Sequence, residues 1–241
     1  MPIPFFAHQV AVLPAKLAKP RWFDGVALVV SSIVPDLAYA LLPEVRVVSH
    51  SIEGLFTWCV PMSMSLTLLV RYGLCRALVR AGLQKLVPVP EKPFDLLKLA
   101  VSAALGAFSH VVWDGIVHPD LTYRAKLSLT TSMPAWTYTL SNALGVPLGV
   151  YLFWRWWRSL PAPPPSAERP ADLALRSRLF SATVLGAILG VLEYRAQWEA
   201  DRTYFDFNGG VMRAAAIVLT CVLFASLSSA FAADGDTERL S

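Results

Sequence analysis

Charge is scarce in this chain. Of its 241 residues only 16% are charged, against 55% hydrophobic. Soluble domains carry about 25% charged residues, so an ordinary water-facing surface is excluded and a multi-pass membrane protein is expected. Cysteine is scarce as well, with three in all. Cys59 and Cys221 fall in apolar runs and Cys75 sits among arginines. No metal spacing links them, which excludes a disulfide framework and a thiolate zinc site. The chain also lacks a phosphate-cradling glycine loop, an internal repeat and a transporter-like duplication. The start is no ordinary signal peptide, because Lys16, Lys19 and Arg21 follow the apolar part instead of preceding it. The net charge of +4 is modest and the basic residues cluster between apolar segments, a topology signal that excludes a nucleic-acid partner.

What the chain does have is apolar length. Six spans are expected, at Val26–Leu42, Ile52–Val70, Leu96–Val117, Tyr138–Trp157, Leu175–Tyr194 and Val211–Phe231. Ile3–Leu17, flanked by Pro4 and Pro14, is a marginal seventh that is expected to insert. The expected fold is therefore an all-α integral membrane bundle. Its parts are a membrane domain over 1–158, a Pro-rich cytoplasmic linker over 159–172, and a C-terminal helix pair with a polar tail over 173–241. Arg71, Arg76, Arg80, Lys85 and Lys92 mark a cytoplasmic loop by the positive-inside rule, and Trp154 to Arg158 form an aromatic and basic anchor on the same side. By that count the segment from His118 to Thr137, with Thr130, Thr131 and Ser132, lies outside.

Four histidines are present, and their placement is informative. His110, Asp114 and His118 are four residues apart, so on a helix they share one stripe with about 40° of drift per step. A carboxylate at mid-bilayer costs roughly 2.5–3.5 kcal/mol on insertion scales, so such groups face the bundle interior. Asp36, His50 and, if the first segment inserts, His8 fall at the same outer end. Imidazole and carboxylate suit zinc, iron or manganese. Six such groups exceed one tetrahedral site, so either some orient the ligands or two metals bind. Plainer readings stand beside this one. A single membrane histidine is commonly an interhelical hydrogen-bonder, and Asp36 has a potential partner in Arg213. Asp24 and Asp95 read as helix caps, and Trp113 as packing. Glu193, Glu199, Asp201 and Asp206 read as a solvated acidic loop.

The order Ala7-His8, Pro35-Asp36, His50-Ser51, Ser109-His110, Trp113-Asp114 and His118-Pro119 resembles a bacterial multi-pass membrane family defined by a domain of unknown function (4184 type). That family is similar in turn to inner-membrane, metal-dependent hydrolase-like proteins. The motifs cover about the first half of the chain. Pro35-Asp36-Leu37-Ala38 departs from the hydrolase-like pattern by offering one carboxylate after the proline, and His50 stands alone where those proteins are richer in histidine. The resemblance implies a metal set of His8, Asp36, His50, His110 and Asp114, with Asp114 and His118 as catalytic groups. It also implies a divalent cofactor, zinc first, with manganese or iron as the alternatives. The function expected is hydrolysis of a lipid or lipid-linked phosphate ester at the outer face of the inner (cell) membrane, with membrane lipid as the neighbour. A proton-coupled transporter and a structural protein locked by the same polar cluster are the competing expectations.

Overall fold

The structure is a computed structural model that describes residues 7–41, 49–83, 95–117, 136–160, 172–200 and 207–238. Every regular element among them is helical. Two compact units are present, one of Met1–Thr67 with Pro93–Ser159 and one of Leu68–Lys92 with Leu160–Ser241.

In the first unit, α1 (Gln9–Ala18) leads through a basic turn to α2 (Gly25–Ser31). That turn is tied internally, because the buried Lys16 ammonium donates to the carbonyls of Pro20 at 2.7 Å and Phe23 at 2.9 Å. Asp24 caps α2 by accepting from the Ala27 N–H at 3.0 Å, as its position at a helix start suggests. α2 then stops at Ser31 and α3 (Val34–Leu41) begins three residues later. Pro35 is the cause. It has no N–H, and its ring would strike the carbonyl four residues back in a continuous helix. The ladder is reset across the break, with the Ile33 N–H donating to Val30 O at 3.1 Å and the Asp36 N–H to Ile33 O at 3.1 Å. The Ser32 carbonyl, which Asp36 would otherwise use, is thereby released.

After Ser51, whose hydroxyl caps the next turn by accepting from the Gly54 N–H at 3.0 Å, a helix runs from Ile52 to Arg80 (α4). It includes two π-helical stretches, Leu55–Cys59 and Leu69–Cys75. The boundary between the two units falls inside it. α5 (Leu96–Val117) is capped by Asp95, which accepts from the Lys98 N–H at 2.9 Å. Its buried stripe is Ser102, Ala103, Gly106, Ala107, His110 and Asp114, while Leu97, Phe108 and Ile116 are exposed. Leu99, Val111 and Val117 are buried as well, so small and polar residues share the inner face with a few aliphatic ones. Large apolar side chains on the outside are expected where the surroundings are apolar. α6 (Trp136–Arg158) completes the unit.

The helices gather their basic ends. The Asp24 N–H donates to Ser102 Oγ at 2.8 Å, which sets the start of α2 beside the first turns of α5. Trp156, near the end of α6, lies over Gly25, where an added Cβ would come within 2.5 Å of the indole. Lys19, Arg21, Lys98, Arg155 and Arg158 therefore belong to one end of this unit. His110 is eight residues beyond Ser102, about 12 Å along α5 from that end. Val34, Leu55, Cys59 and Ala107 form a buried apolar cluster there, with Val30, Trp58, Met62 and Leu66 packed on it.

The second unit centres on a close pair, α7 (Leu173–Ala200) and α8 (Phe207–Glu238). Gly186 and Gly190 permit the approach, since a Cβ on them would meet Val218 Cα at 2.8 Å and Ala214 Cα at 3.0 Å. Ala77, Ala81, Leu175 and Leu179 form its buried cluster.

Three helices among the described residues are long and apolar enough to cross a membrane: α4, α5 and α7 over Leu173–Ala196. Six were expected. The Val26–Leu42 span is two short helices, broken as described. The Tyr138–Trp157 span is a full-length helix, but Thr137, Thr139, Ser141 and Asn142 dilute its first half. The Val211–Phe231 span lies within the long α8, and only its Arg213–Ser228 part falls among residues with described side chains. α1 is also short, at 10 residues. Arg71, Arg76 and Arg80 belong to α4 and not to a loop, because the helix continues past Val70. The Pro161–Pro170 linker, the Thr130–Ser132 segment, Lys85, Lys92, Asp201 and Asp206 lie outside the described residues.

Gly106 marks the crossing of α2 and α5, where a Cβ would overlap Ser31 Oγ and reach Leu28 O at 2.8 Å. Overpacking of this kind costs about 1–3 kcal/mol, and it outweighs the gain of about 1 kcal/mol that alanine brings to a helix interior. Gly106→Ala is expected to lower the melting temperature of the detergent-solubilised protein, read by tryptophan fluorescence.

Candidate metal centre

Four elements bring the polar residues together. His8 stands immediately before α1, Asp36 is in the first turn of α3, His50 lies just ahead of α4, and His110 and Asp114 are one turn apart on α5. All five are buried, none more than 2% exposed. The ligand atoms of Asp36, His50, His110 and Asp114 lie within 4.8 Å of one another, so this group can hold a metal ion.

The individual distances say more. Asp36 Oδ1 is 3.5 Å from His50 Nε2 and 3.5 Å from His110 Nε2. Asp114 Oδ2 is 3.3 Å from His110 Nε2 and 3.7 Å from His50 Nε2. Charge-assisted hydrogen bonds close to about 2.7–2.9 Å. These separations are longer, and they match the edge of a tetrahedron of ligands about 2.1 Å from a central ion, roughly 3.4 Å. Both Asp36 oxygens and His110 Nε2 have no hydrogen-bond partner although they are buried. Such groups are costly in an apolar interior unless something else satisfies them. When the imidazoles are neutral, as ligation requires, the two carboxylates leave two negative charges that a divalent cation would balance.

Each ligand imidazole is oriented from behind. His110 Nδ1 lies 2.7 Å from the Ser32 carbonyl, which only accepts, so Nδ1 carries a proton and Nε2 is the nitrogen turned toward the carboxylates, where it would ligate an ion. This is the carbonyl that Pro35 releases. His50 Nδ1 contacts Ser49 Oγ at 2.9 Å, and the Cys59 thiol donates to Ser49 O at 3.2 Å. The Gln9 amide donates to Ser32 Oγ at 3.0 Å, beside the same break. His8 adds a fifth group. Its ring stacks on His110 with centroids 3.9 Å apart, and its Nε2 is 3.6 Å from Asp114 Oδ1.

His8, Asp36, His50, His110 and Asp114 are thus assembled, while His118 lies outside the described residues. Asp36 faces His50 and His110, which answers the question of its partner. Trp113 packs by donating from Nε1 to Ser141 Oγ at 2.9 Å. Ser51, part of the His-Ser motif, is a cap, and the serine on the preceding side is the one that contacts His50. Ser32, Ser49 and Gln9 were not anticipated from the sequence. The available signal was a hydroxyl or amide beside a histidine, or just ahead of the proline, within an apolar run.

An all-helical membrane protein with a buried His–Asp group is the class that fold and site define. The chain belongs to the family of a domain of unknown function (DUF4184), which matches residues 1–233 and so extends well beyond the first half that carries the motifs. Neither the curated proteins nor the solved structures contain a match to it.

Ser49→Ala removes the hydroxyl behind His50 and leaves the four facing groups in place. Loss of such an orienting partner typically costs 10–100-fold in metal affinity. That drop is expected in a competition titration against a chelator, with the fold unchanged by circular dichroism.

Proposed function

We propose that this protein is a metal-dependent hydrolase embedded in the inner (cell) membrane. It acts on a lipid or lipid-linked phosphate ester. The observation that carries the reading is the buried group of Asp36, His50, His110 and Asp114, with its ligand atoms within 4.8 Å. Zinc is the preferred ion, with manganese and iron as alternatives, since imidazole and carboxylate donors suit all three. A divalent ion held there would supply Lewis acidity toward a phosphoryl oxygen and a water made nucleophilic near neutral pH. His50 and His110 would hold it through Nε2, oriented by Ser49 and by the Ser32 carbonyl. Asp36 and Asp114 supply the negative charge. The surrounding apolar cluster keeps bulk water from competing for these groups. The basic end of the first unit supports a cytoplasmic side by the positive-inside rule. The metal group, farther along α5, then lies toward the outer face.

A second reading is favoured by one observation. The same imidazoles and carboxylates stand at ion-pair distances across α3, α5 and the start of α4, which suits a lock between helices with no cofactor.

Elemental analysis of detergent-purified wild type beside His110→Ala separates the two. At least one zinc, manganese or iron per chain, lost in the variant, is expected, followed by phosphoester cleavage in a lipid screen. Metal-free wild type would overturn the hydrolase and leave the helix lock.

A further inference from the structure

Asp114 does not offer its two oxygens to the same imidazoles. Oδ2 faces His110 and His50 at 3.3 and 3.7 Å, whereas Oδ1 faces His8 at 3.6 Å. A carboxylate divided in this way is placed to bridge. We infer that the centre takes two divalent cations, with Asp114 bridging them and His8 ligating the second. The inference rests on the metal-dependent reading above and extends it.

The stacking of His8 on His110 is the strongest support. Imidazoles that share one ion converge on it, so their planes splay and their rings do not stack face to face. These two rings are 24° from parallel, with centroids 3.9 Å apart. Both Nε2 atoms face Asp114, His8 toward Oδ1 at 3.6 Å and His110 toward Oδ2 at 3.3 Å, so ions held by the two rings would lie apart by about the ring spacing. Paired metal sites hold their ions about 3.5–4 Å apart. The stacking distance and the pair distance coincide.

His8 has no other use for its nitrogens. It is 1% exposed, and neither Nδ1 nor Nε2 has a hydrogen-bond partner. A neutral imidazole buried this way forfeits both a donor and an acceptor interaction. It also falls outside the compact group formed by Asp36, His50, His110 and Asp114, so it adds a position beside that group and does not crowd it. Charge then points to the substrate class. Two divalent cations against two carboxylates leave the centre net positive, which suits an anionic phosphoryl group clamped between the ions.

Manganese tests this directly, because two neighbouring Mn2+ ions couple magnetically and a single one does not. The full chain in detergent is loaded with Mn2+, freed of excess, and read by elemental analysis and low-temperature EPR. Two manganese per chain with a spin-coupled spectrum are expected. In His8→Ala and in the smaller change His8→Asn, the count should fall to one and an isolated six-line signal should appear. One uncoupled manganese in wild type would overturn the second cation and leave the single-ion hydrolase standing. Two uncoupled ions that persist in both variants would also overturn it, by locating the second ion away from His8. No bound manganese, zinc or iron in wild type would remove both readings. The wild-type spectrum decides whether the ion pair exists even if His8→Ala fails to fold. A coupled pair that persists in a folded His8→Asn would overturn His8 as its ligand.

Discussion

The hydrogen bond from His110 Nδ1 to the Ser32 carbonyl, at 2.7 Å, is the constraint on which the rest of the centre depends. A carbonyl can only accept, so the bond places a proton on Nδ1 as well as fixing the ring plane. It exists because Pro35 interrupts the helical ladder and leaves that oxygen unclaimed. The interruption also turns Asp36 into the first turn of α3, where its carboxylate faces the His110 ring it has indirectly oriented. One backbone defect thus supplies the acceptor, the angle and the opposing carboxylate. Gln9 stabilises the same corner through Ser32 Oγ, which links α1, and with it His8, to the break.

The apolar surroundings explain why the arrangement is concentrated on so few residues. With hydrocarbon outside, the helices gain little from burying leucine and much from close backbone approach and shared polar groups. α5 follows that rule along its whole length. Ser102 accepts from the Asp24 N–H, Gly106 admits α2, and His110 and Asp114 carry the chemistry, all on one stripe. Leu97, Phe108 and Ile116 face outward, while Leu99, Val111 and Val117 pack inside beside the polar stripe. In the second unit the same logic appears without polar chemistry, as the glycine-mediated contact of α7 with α8.

Much of this was legible in the sequence. The spacing of His110 and Asp114 on one helical stripe, the caps at Asp24 and Asp95 and the all-helical class all follow from local rules. The number of spanning helices did not, because segment length was read without asking how a proline break or a run of Thr, Ser and Asn divides it. The extension of α4 to Arg80 was missed for a related reason. Arginines were read as loop residues, although their long stems allow them to sit on a helix while their charges reach water. Convergence of His8, Asp36 and His50 on α5 was only a topological expectation, since nothing in spacing reveals contacts between distant segments. The orienting serines were hidden because a serine in an apolar run reads equally well as packing.

All five assembled groups come from the first half of the chain, and this has a consequence for the order in which the protein is made. Asp36 leaves the ribosome roughly 80 residues ahead of Asp114, an interval of about 4 to 16 s at 5–20 residues per second. Throughout that interval its carboxylate has neither His110 nor any completed site to face, and an unpaired carboxylate is costly inside a bilayer. The short helices α2 and α3 therefore cannot settle as an independent span. Two helices of seven and eight residues have no length of their own with which to cross, so their docking is expected to follow the synthesis of α5, which carries the partners.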